Sequence, residues 1–236
     1  MTPNDFLNAF FVHLNELRSR MIKTLGVFLL VAFVCFNYAT EVLHWIIKPA
    51  GHLVFTTPGG AFSAVMMATI VMAAIISSPF ILYQFWAFVS KALKPQEQKI
   101  ILIVGPLSVL LFLSGVAFAF FVAVPIAYKF LMSFSSADLQ PMISVDNYLG
   151  FLGNMVLAFG ITFELPLVLG FLAKIGIATP EFLRQKRRHA IIIILVIAAI
   201  LTPPDVASQC LLAGPLIVLY ELGIVVVRMV YKHKTL

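Results

Sequence analysis

The sequence predicts an all-α polytopic membrane protein with six transmembrane helices. Hydrophobic residues make up 61% of the 236 positions and charged residues only 11%, which leaves too few polar side chains to surround a water-soluble core. The long runs are apolar on every side, unlike the alternating strands of a membrane β-barrel, so α-helices are favoured. The predicted spans are residues 22–39, 62–85, 100–124, 148–173, 190–202 and 206–227. Together they predict one integral membrane domain over residues 1–236.

The positive charges predict the orientation of these spans. Fourteen of the sixteen Lys and Arg lie in the N-terminal segment, in residues 86–99, in residues 174–188 or in the C-terminal tail. Only Lys48 and Lys129 lie in the alternating loops. By the positive-inside rule both termini and the two basic loops are cytoplasmic, which six spans require. The net charge of +6 therefore reflects membrane orientation and does not indicate nucleic-acid binding.

Residues 1–21 are predicted to form a helix at the cytoplasmic membrane interface. Thr2 can cap this helix and Pro3 suits its first position. Apolar residues then recur every three or four positions, as in an amphipathic helix that lies in the interface. They are Phe6, Phe10, Leu14, Leu17 and Met21. The chain is expected to turn from this helix into the first span, and residues 42–47 are expected to form a separate short interfacial helix before Pro49.

Three prolines and one short run make the spans irregular. Pro79, Pro106 and Pro166 each remove a backbone N–H inside a span, so kinks are expected there. Span five has thirteen residues and covers roughly 20 Å, whereas the hydrocarbon core is about 30 Å thick. The bilayer must thin beside it, or neighbouring helices must shield it. Kinked helices of unequal length, with spans five and six short, are expected to pack into a curved bundle with a concave face.

Glu164 is the ionisable residue that lies well inside a long span. Insertion scales place the cost of an acid in mid-helix at about 2.5 to 3.5 kcal/mol, so the group must be protonated, hydrogen-bonded or exposed to a wet or protein-filled space. One interpretation is a functional polar site. The other is a neutral acid bonded to another helix for packing, for example to the carbonyl of Thr162 that Pro166 leaves free. An ion-coupled small-solute transporter that uses Glu164 as proton carrier is the alternative function.

Glu16 and Glu97 are two acids on a cytoplasmic surface that is otherwise positive. Together they could receive a cationic ligand. Local pairing is the simpler account from charge pattern alone, because Glu16 and Arg20 are spaced i,i+4 and Lys94 stands three residues before Glu97.

Glu221 lies near the inner end of span six, where it is expected to reach toward water or pair with Arg228. No motif indicates catalysis, a cofactor or a metal: the five His are scattered, and the sequence has no Gly-rich phosphate loop. A membrane-embedded enzyme is therefore ranked below the other hypotheses.

Four segments resemble, in order, the signatures of the TatC family, the receptor core of the twin-arginine protein translocase. The first is HLNELRSR at residues 13–20, before span one. The second is SPFILYQFWAF at 78–88, followed by Ala92, Leu93 and Glu97. The third is FELP at 163–166, and the fourth is LTPPD at 201–205 with LYE at 219–221. The resemblance covers nearly the whole chain.

This resemblance implies a receptor in the bacterial inner membrane. It would bind the paired arginines of signal peptides on folded cargo and assemble with single-span TatA-type and TatB-type subunits for export driven by the proton gradient. Glu16 and Glu97 would contact the arginine pair, and Arg18 and Phe88 would shape the same surface. Glu164 would be a polar site on the concave face where a partner helix docks.

The remaining motif positions are given assembly or structural roles by the same resemblance. Pro49 matches an outer position used in assembly, and Pro166, Asp205 and Glu221 belong to the third and fourth motifs. Lys91 departs from the family pattern, which often has proline before Ala-Leu. An oligomer in contact with lipid is implied, with no cofactor.

Guanidinium chemistry explains why such a site needs two acids. A guanidinium group binds a carboxylate in a two-pronged geometry that an ammonium group cannot copy. Two charged pairs contribute roughly 3 to 6 kcal/mol, whereas a micromolar complex needs about 8. The apolar segment of the signal must therefore also contact protein or lipid.

Overall fold

The computed structural model describes residues 3–48, 53–91, 93, 98, 101–135, 142–201 and 206–234. Within these ranges the chain forms nine α-helices and one π-helical segment, and its β-structure is limited to an isolated bridge between Val54 and Ser144. The helices are α1 Pro3–Ile47, α2 Gly60–Lys91, α3 Ile101–Phe118, α4 Val124–Met132, α5 Val145–Phe163, α6 Leu165–Lys174, α7 Pro180–Gln185, α8 Arg187–Leu201 and α9 Val206–Lys234, with the π segment Ala119–Ala123 between α3 and α4. The all-α prediction is confirmed.

Five stretches of the described chain are helical, long enough and apolar enough to cross a bilayer. They are Leu14–Ile47, Gly60–Lys91, Ile101–Met132, Val145–Lys174 and Leu212–Tyr231. These stretches overlap predicted spans one to four and six, with different bounds. Predicted span five corresponds to α8, whose 15 residues measure about 22 Å along the helix axis. The count of six spans and the cytoplasmic position of both termini stay predictions.

The N-terminal helix α1 is longer than the sequence analysis expected. It runs without interruption from Pro3 to Ile47, so the turn expected after residue 21 and the separate helix at 42–47 are both wrong. No proline occurs between Pro3 and Pro49, and a change from interface to membrane does not by itself break a helix. Whether residues 1–21 lie at the interface stays a prediction.

The prolines inside the spans act differently from one another. Helices α2 and α3 continue through Pro79 and Pro106, whereas span four is divided at Glu164 into α5 and α6. Pro166 has no N–H for the carbonyl of Thr162, and its ring crowds that carbonyl. At the division the N–H of Glu164 donates to the carbonyl of Ile161, three residues back, at 3.1 Å. The break places Glu164 at a junction between two helices.

Predicted span three ends later than residue 124. The helix passes through the π segment into α4 and reaches Met132. Pro125 lies in the first turn of α4, directly after the π segment.

Helix α5 occupies the centre of the bundle. It packs against α2, α3, α8 and α9, while α6 packs against α9 and α1 packs mainly against α2. Helices α3 and α5 approach closely at Gly115, where a Cβ atom would lie 2.5 Å from the carbonyl oxygen of Phe159. Small residues allow such close approach between membrane helices. Helix α1 lies at the edge, and Phe33 on it is 77% exposed.

Candidate functional site

The packing of α1 on α2 brings four polar side chains together, and we call Glu16, Arg20, Gln84 and Lys91 the Glu16 cluster. The Arg20 guanidinium contacts Oε1 of Glu16 through Nε at 2.8 Å and Nη2 at 2.7 Å. Its Nη1 donates to Oε1 of Gln84 at 2.8 Å. Nζ of Lys91 lies 2.8 Å from Oε1 of Glu16. One carboxylate thus faces two cations.

Helical spacing accounts for the local geometry of the Glu16 cluster. Glu16 and Arg20 are one turn apart on α1 and form the predicted i,i+4 pair. Gln84 and Lys91 are seven residues apart on α2, so they share one face of that helix. Each described contact of the Glu16 carboxylate is made by Oε1.

An apolar groove of 340 Å³ adjoins the Glu16 cluster between α1 and α2. Its lining residues are Leu17, Arg20, Met21, Thr24, Leu25, Phe28, Ile81, Gln84, Phe85 and Phe88. Arg20 and Gln84 belong to both the groove and the cluster. A bound chain could therefore place a charged group at Glu16 and an apolar group in the groove.

The four residues predicted to take part in cation recognition differ in where the structure places them. Glu16 belongs to the cluster, and Phe88 lines the groove beside it. Arg18 is exposed and has no ion pair with a described residue. It stands two residues after Glu16 on α1, so its side chain points about 200° away from Glu16. Glu97 lies outside the described residues, so the predicted pairing of two acids is not tested.

Gln84 and Lys91 were missed as members of this site. Their spacing to Phe88, four and three residues away, places all three on one face of α2. That pattern was available in the sequence, but the choice of α1 as the partner helix was not.

A second polar site surrounds Glu164. Oγ of Ser108 on α3 donates to Oε2 of Glu164 at 2.8 Å. Ser108 is fully buried and Glu164 is 9% exposed. The expected bond to another helix is confirmed, but its partner is Ser108 of α3 and not the carbonyl of Thr162. Oε1 of Glu164 is buried without a described hydrogen-bond partner.

Glu164 lines an open cavity of 460 Å³, which we call the Glu164 cavity. Its lining residues are Ala74, Ser78, Ile81, Leu82, Phe85, Trp86, Phe112, Leu157, Ile161, Glu164, Leu165 and Val168. Nε1 of Trp86 is also buried without a described partner, so two residues that line the cavity each have a buried polar atom without a described hydrogen bond. It can accommodate an apolar segment that carries one polar group. The described residues include no cluster of His, Cys, Asp or Glu suited to a metal ion.

The other predicted positions are structural or lie outside the described chain. Glu221 pairs with Arg187 at 2.6 Å, so the expected pairing with Arg228 is wrong: α7, α8 and α9 are neighbours, and Arg187 at the start of α8 comes within reach. Pro166 lies in the first turn of α6. Pro49 and Asp205 lie outside the described residues.

The chain is similar to known proteins over most of its length. The family described as Sec-independent protein translocase protein (TatC) matches residues 12–215. The TatC protein of Aquifex aeolicus is 40% identical over 232 residues, covering 94% of this chain and 95% of that protein. The Escherichia coli K12 protein is 35% identical over 220 residues, covering 90% and 85%. A crystal structure described as the twin arginine translocase receptor TatC superposes with a TM-score of 0.86 at 38% identity, covering 92% of this chain and 99% of that one.

Proposed function

The chain belongs to the TatC family of Sec-independent protein translocase proteins, and from this we propose that it is the receptor that binds the paired arginines of export signal peptides. As a family member it is a multi-pass membrane protein and a translocase component, and it is not an enzyme. The observation that carries the proposal is the Glu16 cluster, in which one carboxylate already holds the guanidinium group of Arg20 at 2.7 and 2.8 Å.

The Glu16 carboxylate has capacity for a further guanidinium group. Its described contacts use Oε1 alone, and an ionised carboxylate offers about four lone-pair sites on two oxygens. An arginine of the signal would bind at Glu16, and its neighbour would bind at Glu97. Arg18 and Phe88 would shape the surrounding surface.

The apolar groove beside the Glu16 cluster supplies the remaining binding energy. Two charged pairs contribute roughly 3 to 6 kcal/mol, and micromolar binding needs about 8. Burial of about 100 Å² of apolar surface contributes roughly 2.5 kcal/mol. One or two apolar side chains of the signal peptide in the 340 Å³ groove would therefore close the difference.

The Glu164 cavity is proposed as the docking site for a helix of a TatA-type or TatB-type subunit. Two features support this: the cavity is apolar enough for a membrane helix, and its lining residues Glu164 and Trp86 each have a buried polar atom without a described partner. A polar side chain on the partner helix would form a hydrogen bond with Glu164 or Trp86. Pro49 is assigned to assembly on the outer side, and Pro166, Asp205 and Glu221 to structural or assembly roles.

The protein would lie in the bacterial inner membrane with both termini cytoplasmic, and several copies would assemble in contact with lipid. The assembled complex would export folded proteins at the expense of the proton gradient. No nucleic acid or cofactor takes part.

A binding measurement tests the assignment of Glu16. In membrane vesicles that contain the full chain and its partner subunits, Glu16→Gln should weaken the binding of a twin-arginine signal peptide by about tenfold or more, because one charged pair is lost. Glu181→Gln is the matched control, since it removes an exposed acid of α7 that has no assigned role, and it should leave binding unchanged. Equal binding by the wild type and Glu16→Gln would refute the assigned site.

The alternative is an ion-coupled transporter that uses Glu164. Among the residues that line the Glu164 cavity, Glu164 is the one ionisable group, whereas transporter sites usually gather several polar groups at the midplane. Solute flux into proteoliposomes containing this chain alone would favour the transporter.

A further inference from the structure

We propose that Lys91 is an intramolecular competitor that occupies Glu16 in the absence of a signal peptide and is displaced when the peptide binds. This inference rests on the proposed function of Glu16. The contact that carries it joins Nζ of Lys91 on α2 to Oε1 of Glu16 on α1, at 2.8 Å. A two-pronged guanidinium group needs Oε1 as well as Oε2, so Lys91 sits on one of the two oxygens that the ligand is proposed to use.

The two cations at Glu16 are held differently. The Arg20 side chain is 18% exposed, and it is fixed at both ends of its guanidinium group by Glu16 and Gln84. The Lys91 side chain is 61% exposed and lies in the last turn of α2. Its described ion pair is the one with Glu16. Arg20 is therefore the residue that positions Glu16, and Lys91 is the residue that can leave.

Displacement of Lys91 is chemically favourable for a guanidinium ligand. Lys91 engages Oε1 through a single ammonium group, whereas a guanidinium group can bind both carboxylate oxygens at once. The released ammonium group needs no new protein partner, because its exposed position lets water solvate it. The signal peptide thus exchanges one surface ion pair for a two-pronged pair.

Competition of this kind lowers the apparent affinity by the fraction of receptors in which Glu16 is available. It also helps release, because Lys91 can return to Oε1 as soon as the arginine leaves. Lys91 would therefore tune the affinity and residence time of the signal peptide without contributing to the bound state.

Two substitutions at Lys91 and a control substitution at Lys23 test this competition. Lys91→Met keeps an unbranched side chain and removes the cation, so it should raise the affinity for a twin-arginine peptide by about three- to tenfold. Lys91→Arg should lower the affinity below that of the wild type, since arginine holds Glu16 more firmly. Lys23→Met is the control, because it removes an exposed charge of α1 that has no described contact with Glu16.

The assay is the binding of a fluorescent peptide with an Arg-Arg pair to the full-length receptor complex in nanodiscs, at fixed ionic strength. An affinity order of Lys91→Met above wild type above Lys91→Arg, with Lys23→Met within twofold of wild type, supports the competition. An unchanged or reduced affinity of Lys91→Met overturns it, as does an equal gain from Lys23→Met.

A Glu16→Gln arm separates this inference from the proposed function. If Glu16→Gln loses binding while Lys91→Met matches the wild type, the receptor site stands and the competition is refuted. If Glu16→Gln binds as the wild type does, the receptor site is refuted, and the competition at that carboxylate is refuted with it.

Discussion

The hydrogen bond between Ser108 and Glu164 should make a measurable contribution to the stability of the bundle. Ser108→Ala removes the hydroxyl that donates to Oε2 of Glu164 at 2.8 Å. Oε1 already has no described partner, so the substitution leaves both oxygens of a buried acid unpaired. The protein is expected to unfold more easily as a result.

The expected loss in the free energy of unfolding is about 1 to 2 kcal/mol. Hydrogen bonds between membrane helices average about 0.6 kcal/mol and reach about 1.7. A buried acceptor that loses its partner costs about 1 to 3 kcal/mol. The value for Ser108→Ala should fall where these ranges overlap, because Ser108 is fully buried and Glu164 is 9% exposed.

The assay is reversible unfolding in mixed detergent micelles, followed by tryptophan fluorescence. The chain has two tryptophans, and Trp86 lines the Glu164 cavity. Ser77→Ala is the matched control. Ser77 is also buried, but its hydroxyl donates to the carbonyl of Ala73 on the same helix at 2.6 Å, and its loss should cost less than about 0.5 kcal/mol.

The same substitution in a Glu164→Leu protein shows whether the loss in the free energy of unfolding comes from the contact between Ser108 and Glu164. With Glu164→Leu in place, Ser108→Ala should change the free energy of unfolding by close to zero, because the acceptor is gone. The coupling between the two sites should then be about 1 kcal/mol or more. The same loss in both backgrounds would refute a stabilising bond between Ser108 and Glu164.

Two further substitutions test the packing and the surface charge with the same unfolding assay. Gly115→Ala should lower the free energy of unfolding by about 1 to 3 kcal/mol, because its Cβ would lie 2.5 Å from the carbonyl oxygen of Phe159; Gly105→Ala on the same helix meets open space and should be neutral or slightly stabilising. Comparable effects of the two alanines would contradict the close approach of α3 and α5. Glu221→Gln should change stability by less than about 1 kcal/mol, since the two side chains of its pair with Arg187 are 45% and 44% exposed; a larger loss would show that this pair holds α8 to α9.

Local features of the sequence predicted most of the helices. Apolar runs identify membrane helices directly, because no other local structure satisfies the backbone in lipid. The same reasoning singled out Glu164 as an anomaly and paired Glu16 with Arg20, since an i,i+4 contact depends only on the helix itself.

Contacts between helices were beyond the reach of the sequence analysis. The partner of Glu164 is Ser108, 56 residues away along the chain, and that choice depends on α3 packing against α5. Lys91 reaches Glu16 only because α2 packs against α1. The pairing of Glu221 was wrong for the same reason, because local spacing favoured Arg228 and the fold brings Arg187 closer.

Irregularities within helices were harder to predict. A kink was expected at each of three prolines; Pro166 coincides with a division of the helix, and the kinks at Pro79 and Pro106 stay predictions. Local chemistry removes one hydrogen bond at each proline, and the surrounding packing decides whether the helix continues.

The most direct test of the account is a double-mutant cycle between Glu16 of the receptor and an arginine of the signal peptide. Binding constants are measured for wild-type and Glu16→Gln receptor complexes, each with an Arg-Arg peptide and with peptides in which either arginine is replaced by glutamine. Direct contact predicts a coupling of about 1.5 kcal/mol or more for one of the two arginines. Additive losses for both arginines would show that Glu16 does not hold the signal.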